Sequence, residues 1–176
     1  MELAPEDLRH LRRCVELARE ALDDGDEPFG SLLVDAHGSV VFEDRNRVKD
    51  GDQTRHPEFE IARWAAGNIP PEERRRATVY TSGEHCPMCS AAHAWVGLGR
   101  IVYAASSEQL GRWLAEWGIG PAPVAALPIQ TVAPGIEVGG PSAELADEVR
   151  GLHQRFHRCR TDCRQGSLPA GTGEAT

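Results

Sequence analysis

Lysine is almost missing from this 176-residue chain: Lys49 is the only one, and arginine supplies the rest of the positive charge. Positive charge as a whole is also short, 19 Lys and Arg against 27 Asp and Glu, which leaves a formal net charge of -8. A domain that grips nucleic acid usually carries a basic footprint to neutralise phosphates, so this balance disfavours a polyanionic partner. The one basic run, Arg74-Arg75-Arg76, is expected to be a solvated face. No stretch approaches the ~18 apolar residues of a membrane span, which argues against a membrane partner. Met1 to Arg13 holds no apolar run flanked by basic residues, so no signal peptide is expected and the location expected is cytoplasmic. Five cysteines is an odd number and two of them form a Cys-x-x-Cys pair, which favours metal or redox chemistry over a disulfide framework. There is no internal repeat. The length suits one domain at roughly 100–200 residues each, expected over 1–158 with a polar, mobile tail at 159–176.

What is present reads as strands alternating with helices. Pro5, Glu6 and Asp7 open a helix whose apolar face is Leu8, Leu11, Val15, Ala18 and Leu22, ended by Asp24-Gly25. Ser31 to Asp35 and Val40 to Glu43 read as strands joined by a His37-Gly38 turn, a hairpin. After a polar loop from Asn46 to Arg55, Thr54 is the expected cap of a helix through Phe59, Ile61, Ala62 and Trp64 to Gly67, and Pro70-Pro71 breaks the chain. Ala77 to Thr81 and Ile101 to Ala104 read as strands, with a helix between them at Pro87 to Val96. Ser107 to Trp117 reads as another helix, followed by a loop at Gly118 to Pro128 and a strand at Ile129 to Val132. A last helix carries Leu145, Val149, Leu152 and Phe156. The alternation predicts an α/β layered sheet.

Two short pieces carry chemistry. His56-Pro57-Glu58 stands at the expected start of one helix, and Cys86-Pro87-Met88-Cys89 follows a strand and opens another. Two cysteines three apart at a helix start can hold one metal together, and the helix dipole favours their thiolates. His56 as third ligand leaves the fourth position to water, the catalytic pattern of zinc, whereas four protein ligands make a structural site. Zinc lowers the pKa of bound water from about 16 to roughly 7. Glu58, two residues past the histidine and not itself a ligand, is placed to move protons. The pair alone could also be a redox motif or half a structural site, with His93 closing it, but these are the lesser readings.

His-x-Glu followed by Pro-Cys-x-x-Cys is the signature of the zinc nucleobase deaminases. On those residues the chain resembles the cytidine deaminase superfamily, in the branch of the guanine deaminases and tRNA adenosine deaminases. The likeness runs from about Pro28 to Ala104 and takes in Pro28-Phe29-Gly30, Asn46, Thr54 to Glu58, Glu84 to Cys89, Trp95 and Arg100 to Ala104. It implies a three-layer α/β/α sandwich around a five-stranded mixed sheet, one zinc per subunit on His56, Cys86 and Cys89, Glu58 as proton shuttle, and a homodimer. It further implies that Asn46 hydrogen-bonds the substrate ring, that Phe29 and Trp95 wall the pocket, and that the backbone N–H of Cys86 helps hold the attacked centre. Two residues depart from the family pattern: Pro57 where alanine is usual and His85 where proline is usual, both beside the expected pocket. The activity implied is hydrolytic deamination of a small aminated nucleobase or nucleoside, guanine-type purines first and cytosine-like or triazine rings next. The alternatives are a tRNA adenosine deaminase and a non-catalytic, zinc-stabilised interaction domain. Other residues have plainer readings: His93 in the core or a subunit interface, Cys14 buried and inert, His85 in the pocket or on its rim. Glu116, beside Trp113 and Trp117, is a candidate substrate-contacting acid, and His157, Cys159 and Cys163 have loose metal spacing.

Overall fold

The computed structural model describes residues 3–165, with side chains as far as 158. Helix α1 spans Pro5–Asp23, with Pro5 in the first turn, where its missing N–H costs nothing. Leu11, Cys14, Val15 and Ala18 recur at helical spacing and are all buried. That face lies on strand β1 (Gly30–Val34), so closely that a Cβ at Gly30 would come within 2.4 Å of the Leu17 Cβ and 2.5 Å of the Cys14 carbonyl. Strand β2 (Val40–Arg45) returns antiparallel. The turn between them is held by Asp35, whose Oδ1 accepts the His37 and Ser39 N–H groups at 2.8 and 2.9 Å.

Beyond the hairpin come α2 (Pro57–Asn68), a single turn α3 (Pro71–Arg74), β3 (Thr78–Gly83), α4 (Pro87–Val96), β4 (Arg100–Ala105) and α5 (Ser107–Glu116). The turn α6 (Ile129–Val132), the two-residue strand β5 (Val138–Gly139) and helix α7 (Ala146–Gln165) complete the described chain. The sheet runs β2-β1-β3-β4-β5; β1 is antiparallel to both neighbours, while β3, β4 and β5 are parallel. Because side chains alternate along a strand, adjacent residues serve opposite layers. Leu32, Tyr80 and Val102 join Leu11, Val15, Trp113, Val149 and Leu152 in one core, while Leu33 and Val79 join Ile61, Ala62, Ala65 and Leu98 in the other. Burying one such aliphatic side chain contributes about 1.5–3 kcal/mol, so helices on both faces are what make these strands stable. The result is the expected α/β/α sandwich around a five-stranded mixed sheet.

Several local expectations are corrected. Ile129 to Val132 is a helical turn, not a strand. The Glu84 carboxylate accepts the Ile129 N–H at 3.0 Å, and the Ala133 N–H closes back on the Ile129 carbonyl at 2.7 Å. The fifth strand comes later, pairing Val138 with Ile101 and Gly139 with Val102. Thr54 does not cap α2: its hydroxyl donates to Asp52 at 2.6 Å, and His56 takes the cap position with extended backbone. Arg74 is not simply solvated. Its guanidinium donates to the carbonyls of Ile69 and Val96 at 2.8 and 2.9 Å, at the C-terminal ends of α2 and α4, where the helix dipole favours a cation. Helix α7 continues past Arg160 to Gln165. The rest of the expected tail, 166–176, and the side chains of Cys159 and Cys163 lie outside the described residues.

At its start α1 is tied to the sheet by Asp7. One carboxylate accepts from the Tyr80 hydroxyl (2.9 Å), the Arg100 guanidinium (2.9 and 3.1 Å) and the Ala4 N–H (3.1 Å). Burial alone would raise its pKa, but these four donors outweigh burial and hold the group below its ordinary value.

Candidate metal centre and pocket

Helices α2 and α4 pack side by side, and each has a metal-type donor at its N-cap, His56 on α2 and Cys86 on α4. A proline follows each cap, Pro57 and Pro87, fixing φ for the first turn. Cys89, one turn into α4, brings its sulfur alongside. His56 Nδ1 lies 3.7 Å from Cys86 Sγ and 3.6 Å from Cys89 Sγ, and the two sulfurs are 3.6 Å apart. A tetrahedral zinc with Zn–S of about 2.3 Å and Zn–N of about 2.0–2.1 Å sets its ligand atoms roughly 3.5–3.8 Å apart. The observed triangle fits that ion. Among the described residues no fourth His, Cys, Asp or Glu joins the three, so the count is that of a catalytic site.

Proximity shapes the protonation of the three. Hydrogen bonding from the Cys89 thiol holds Cys86 down at about 4, with His56 adding to the effect against burial. Cys89 is pushed up, first by its contact with Cys86 and then by burial and the Glu58 charge. Burial opposes charge on His56, yet the Cys86 sulfur and Glu58 outweigh it and raise the imidazole to about 9.

Glu58 sits in the first turn of α2 and is 5% exposed. Its Oε2 is 3.8 Å from Cys89 Sγ. Its Oε1 accepts from the hydroxyls of Ser31 and Thr81, both at 2.8 Å. The motif reading contains neither hydroxyl residue. The available signal was a serine opening the otherwise apolar Ser31-Leu32-Leu33-Val34 run, and a Thr-Ser pair where β3 reaches the site.

Asn46 is fully buried where β2 gives way to the loop. Its backbone N–H donates to the Phe29 carbonyl at 3.0 Å, while neither Oδ1 nor Nδ2 of its side chain has a protein partner. Buried amides are almost always satisfied, so an orphan of this kind points to a ligand or water. Phe29 lies edge-on to His153, with ring centroids 4.9 Å apart, and against Gly83, where a Cβ would meet the ring at 2.8 Å. The cleft beside it is lined by Glu84, Ser106, Trp113 and His153. Pro57 is buried at the helix start.

His85 is buried rather than an exposed rim residue. It packs edge-on to His93 at 5.5 Å, both its ring nitrogens lack a partner, and burial with the neighbouring histidines pushes its pKa well down. His93 closes no four-ligand site, because its Nε2 meets the Gly99 carbonyl at 2.9 Å. Trp95 is 90% exposed on α4. Glu116 is drawn into an ion pair with Arg150 at 2.8 Å on the surface, while Trp113 beside it belongs to the core. Cys14 is buried and its thiol pKa is raised by that burial, in keeping with an inert residue.

Known proteins resemble the chain in both sequence and fold. A probable cytosine deaminase from Schizosaccharomyces pombe is 40% identical over 111 residues, 62% of this chain and 66% of that protein. Guanine deaminase from Bacillus subtilis is 35% identical over 97 residues, 54% of this chain and 62% of that protein. A tRNA-specific adenosine deaminase from Haemophilus influenzae is 32% identical over 106 residues, 60% of this chain and 61% of that protein. The chain thus spans a little under two thirds of the length of each. Among solved structures, guanine deaminase from Nitrosomonas europaea superposes with a TM-score of 0.64 at 22% identity, covering 90% of this chain and 87% of that one. The Bacillus subtilis guanine deaminase structure does so with a TM-score of 0.53 at 24% identity, covering 98% and 99%. At these identities the structural likeness is one of fold. The family defined by the cytidine and deoxycytidylate deaminase zinc-binding region matches residues 5–105, more than half of the chain, and the protein belongs to it.

Proposed function

We propose that the protein is a zinc-dependent hydrolytic deaminase that converts the ring C–NH2 of a small nucleobase or nucleoside to C=O and releases ammonia. The observation that carries this reading is a buried carboxylate oxygen, Glu58 Oε2, held 3.8 Å from one of three converging metal donors. Relatives named for guanine and for cytosine deamination support a small aminated ring, and the net charge of -8 speaks against a polyanion.

His56, Cys86 and Cys89 would hold the zinc, which supplies a Lewis acid and lowers the pKa of water so that a nucleophile exists at neutral pH. Glu58 would carry protons twice: Oε2 takes one from the attacking water and delivers it to the ring nitrogen next to the attacked carbon, then takes the remaining proton of the added hydroxyl and gives it to the departing amine as the carbonyl forms. General acid–base help of this kind contributes about 10²–10⁴ in rate. Asn46 offers a donor and an acceptor with no other employment, which suits the mixed edge of an aminated ring. Phe29 walls the base, Pro57 shapes the floor beside the ring, and the Cys86 N–H at the start of α4 faces the attacked centre. His85, buried next to Cys86 in the chain with both ring nitrogens unpartnered, is the other residue proposed to meet the substrate. Trp95, exposed on the single chain, suits a pocket wall lent to a neighbouring subunit of a homodimer; a monomer in sedimentation would remove that element. A cytoplasmic location accompanies this reading.

The test is ammonia release from guanine, cytosine, aminotriazines and their nucleosides, with Glu58→Ala as control. At least one small substrate is expected, and the variant should lose about 10²-fold or more in kcat while keeping its zinc. Ammonia from an adenosine-containing tRNA alone would overturn the small-substrate reading, and silence of the zinc-loaded protein toward both sets would overturn the enzyme.

A further inference from the structure

Ser31 and Thr81 face each other directly across the antiparallel β1–β3 pair. By alternation they lie on the same sheet face as Leu33 and Val79, the face that α2 covers. Both are fully buried, at a place where a hydroxyl without a purpose would be costly. Their oxygens are 2.9 Å apart, and each is 2.8 Å from Glu58 Oε1. Two hydroxyls from two strands thus converge on one oxygen of one carboxylate, while the other oxygen is left toward the metal donors.

Counting protons shows what such an arrangement can do. Each hydroxyl has one proton to give, and an ionised Oε1 can accept both. Thr81 has one further acceptor, the Gly83 carbonyl at 2.9 Å, so its hydroxyl can rotate without being orphaned. When the carboxyl takes up a proton on Oε2, Oε1 remains a carbonyl-type acceptor and the hydroxyls can stay in place. The contact is therefore compatible with both the charged and the neutral carboxyl, which a proton carrier must alternate between. A salt bridge from Arg or Lys in the same position would favour only the charged form.

We propose that Ser31 and Thr81 are positioning residues, a hydroxyl clamp that fixes the Glu58 carboxyl so that Oε2 alone works as the proton-carrying oxygen. The inference rests on the deaminase reading and deepens it. Clamping removes the rotation that would turn the carboxyl out of line, and misplacement by about 1 Å at a reacting group costs on the order of 10²-fold. Neither hydroxyl contacts a metal donor, so the clamp acts through Glu58 and not through the ion.

The test uses full-length, zinc-loaded protein bearing Ser31→Ala, Thr81→Val, both together, and the conservative pair Ser31→Thr and Thr81→Ser. The double variant is expected to keep its zinc and its KM within about threefold while kcat falls about 10–10²-fold, and the conservative variants should recover most of that loss. In a Glu58→Ala background the same two substitutions should change nothing further, because there is no carboxyl left to position. An unchanged kcat, or an equal fall in the Glu58→Ala background, overturns the clamp. Crystal structures give a readout that needs no turnover: the double variant should show Glu58 in more than one rotamer, and a single native rotamer overturns the proposal. A wild-type protein that releases no ammonia would sink the deaminase reading, and the rotamer comparison would still decide the clamp.

Discussion

Asn46 is the residue whose surroundings make least sense in the free protein. A buried amide with no partner on either atom costs the folded chain about 1–3 kcal/mol for each unmet group, and natural cores seldom tolerate that without a reason. If the reason is a ring edge, stability and activity should separate on substitution. Asn46→Leu keeps the volume and removes the orphan groups, so its thermal midpoint should match or exceed that of the wild type. At the same time kcat/KM for the small substrate should fall by about 10²-fold or more, since a site built to hydrogen-bond its ligand loses heavily when the bonds go. Calorimetry and steady-state kinetics on one preparation check this; a destabilised variant with full activity would make Asn46 a structural turn residue. The sequence could single out His56, Glu58, Cys86 and Cys89 because their spacing is itself chemical information. It could not single out Ser31 or Thr81, which stand 50 positions apart and become partners only through strand pairing. Nor could it tell that the His85 imidazole lies buried against His93, because burial depends on what packs over the strand end.

At the scale of elements, the start of α1 depends on Asp7, which joins the helix to two strands. Charge-assisted bonds to Arg100 and a hydroxyl bond from Tyr80 place this carboxylate among the stronger polar contacts of the fold. Asp7→Asn should cost ~2–4 kcal/mol at neutral pH, because Arg100 would keep its charge with only the longer, exposed Glu137 contact at 3.5 Å to meet it. The pH dependence has a definite sign. Asp7 titrates lower in the folded chain than in the unfolded one, so its contribution is complete above the unfolded value near 3.8 and fades as pH falls through the folded value. Urea unfolding of wild type and variant should therefore differ most near pH 7 and converge in strong acid; a gap that persists there would assign the loss to packing. Element types were legible where period and punctuation agreed, as in α1, the hairpin and α4 between Pro87 and Gly97. They were misread where a long-range carboxylate decided. Ile129 to Val132 has the β-branched look of a strand, yet it coils because Glu84, from the far end of β3, takes up its first N–H. A local window has no access to that bond. Arg74 is a similar case, a residue in a charged run whose side chain caps two helices through tertiary contact.

At the scale of the whole molecule, the two helical layers enclose more histidine than a core usually holds, and this bears on how the protein meets acid. His93 and His153 are buried, and burial drives both below their ordinary range, to about 4 and about 3, with the charge of His157 adding to the effect on His153. An unfolded chain binds a proton at each of them from about pH 6.5 downward, while the folded chain resists until far lower. Between those values the unfolded state holds more protons, so stability must fall as pH drops, by up to ~1.4 kcal/mol per pH unit for each histidine. His153 offers the cleaner test, since it lies on α7 against Phe29, in the helical layer opposite α2 and α4, which carry the metal donors. His153→Gln keeps a polar side chain of similar size and cannot be protonated. Whatever fixed amount the substitution costs at pH 7.5, the variant should regain ground on the wild type steadily from pH 6.5 to pH 4.5 in urea unfolding. Zinc release in acid affects both proteins alike and drops out of the difference. A stability gap that stays constant over that range would mean that His153 takes up its proton as readily folded as unfolded, and the acid sensitivity of the fold would have to come from His93 and from carboxylates such as Asp7.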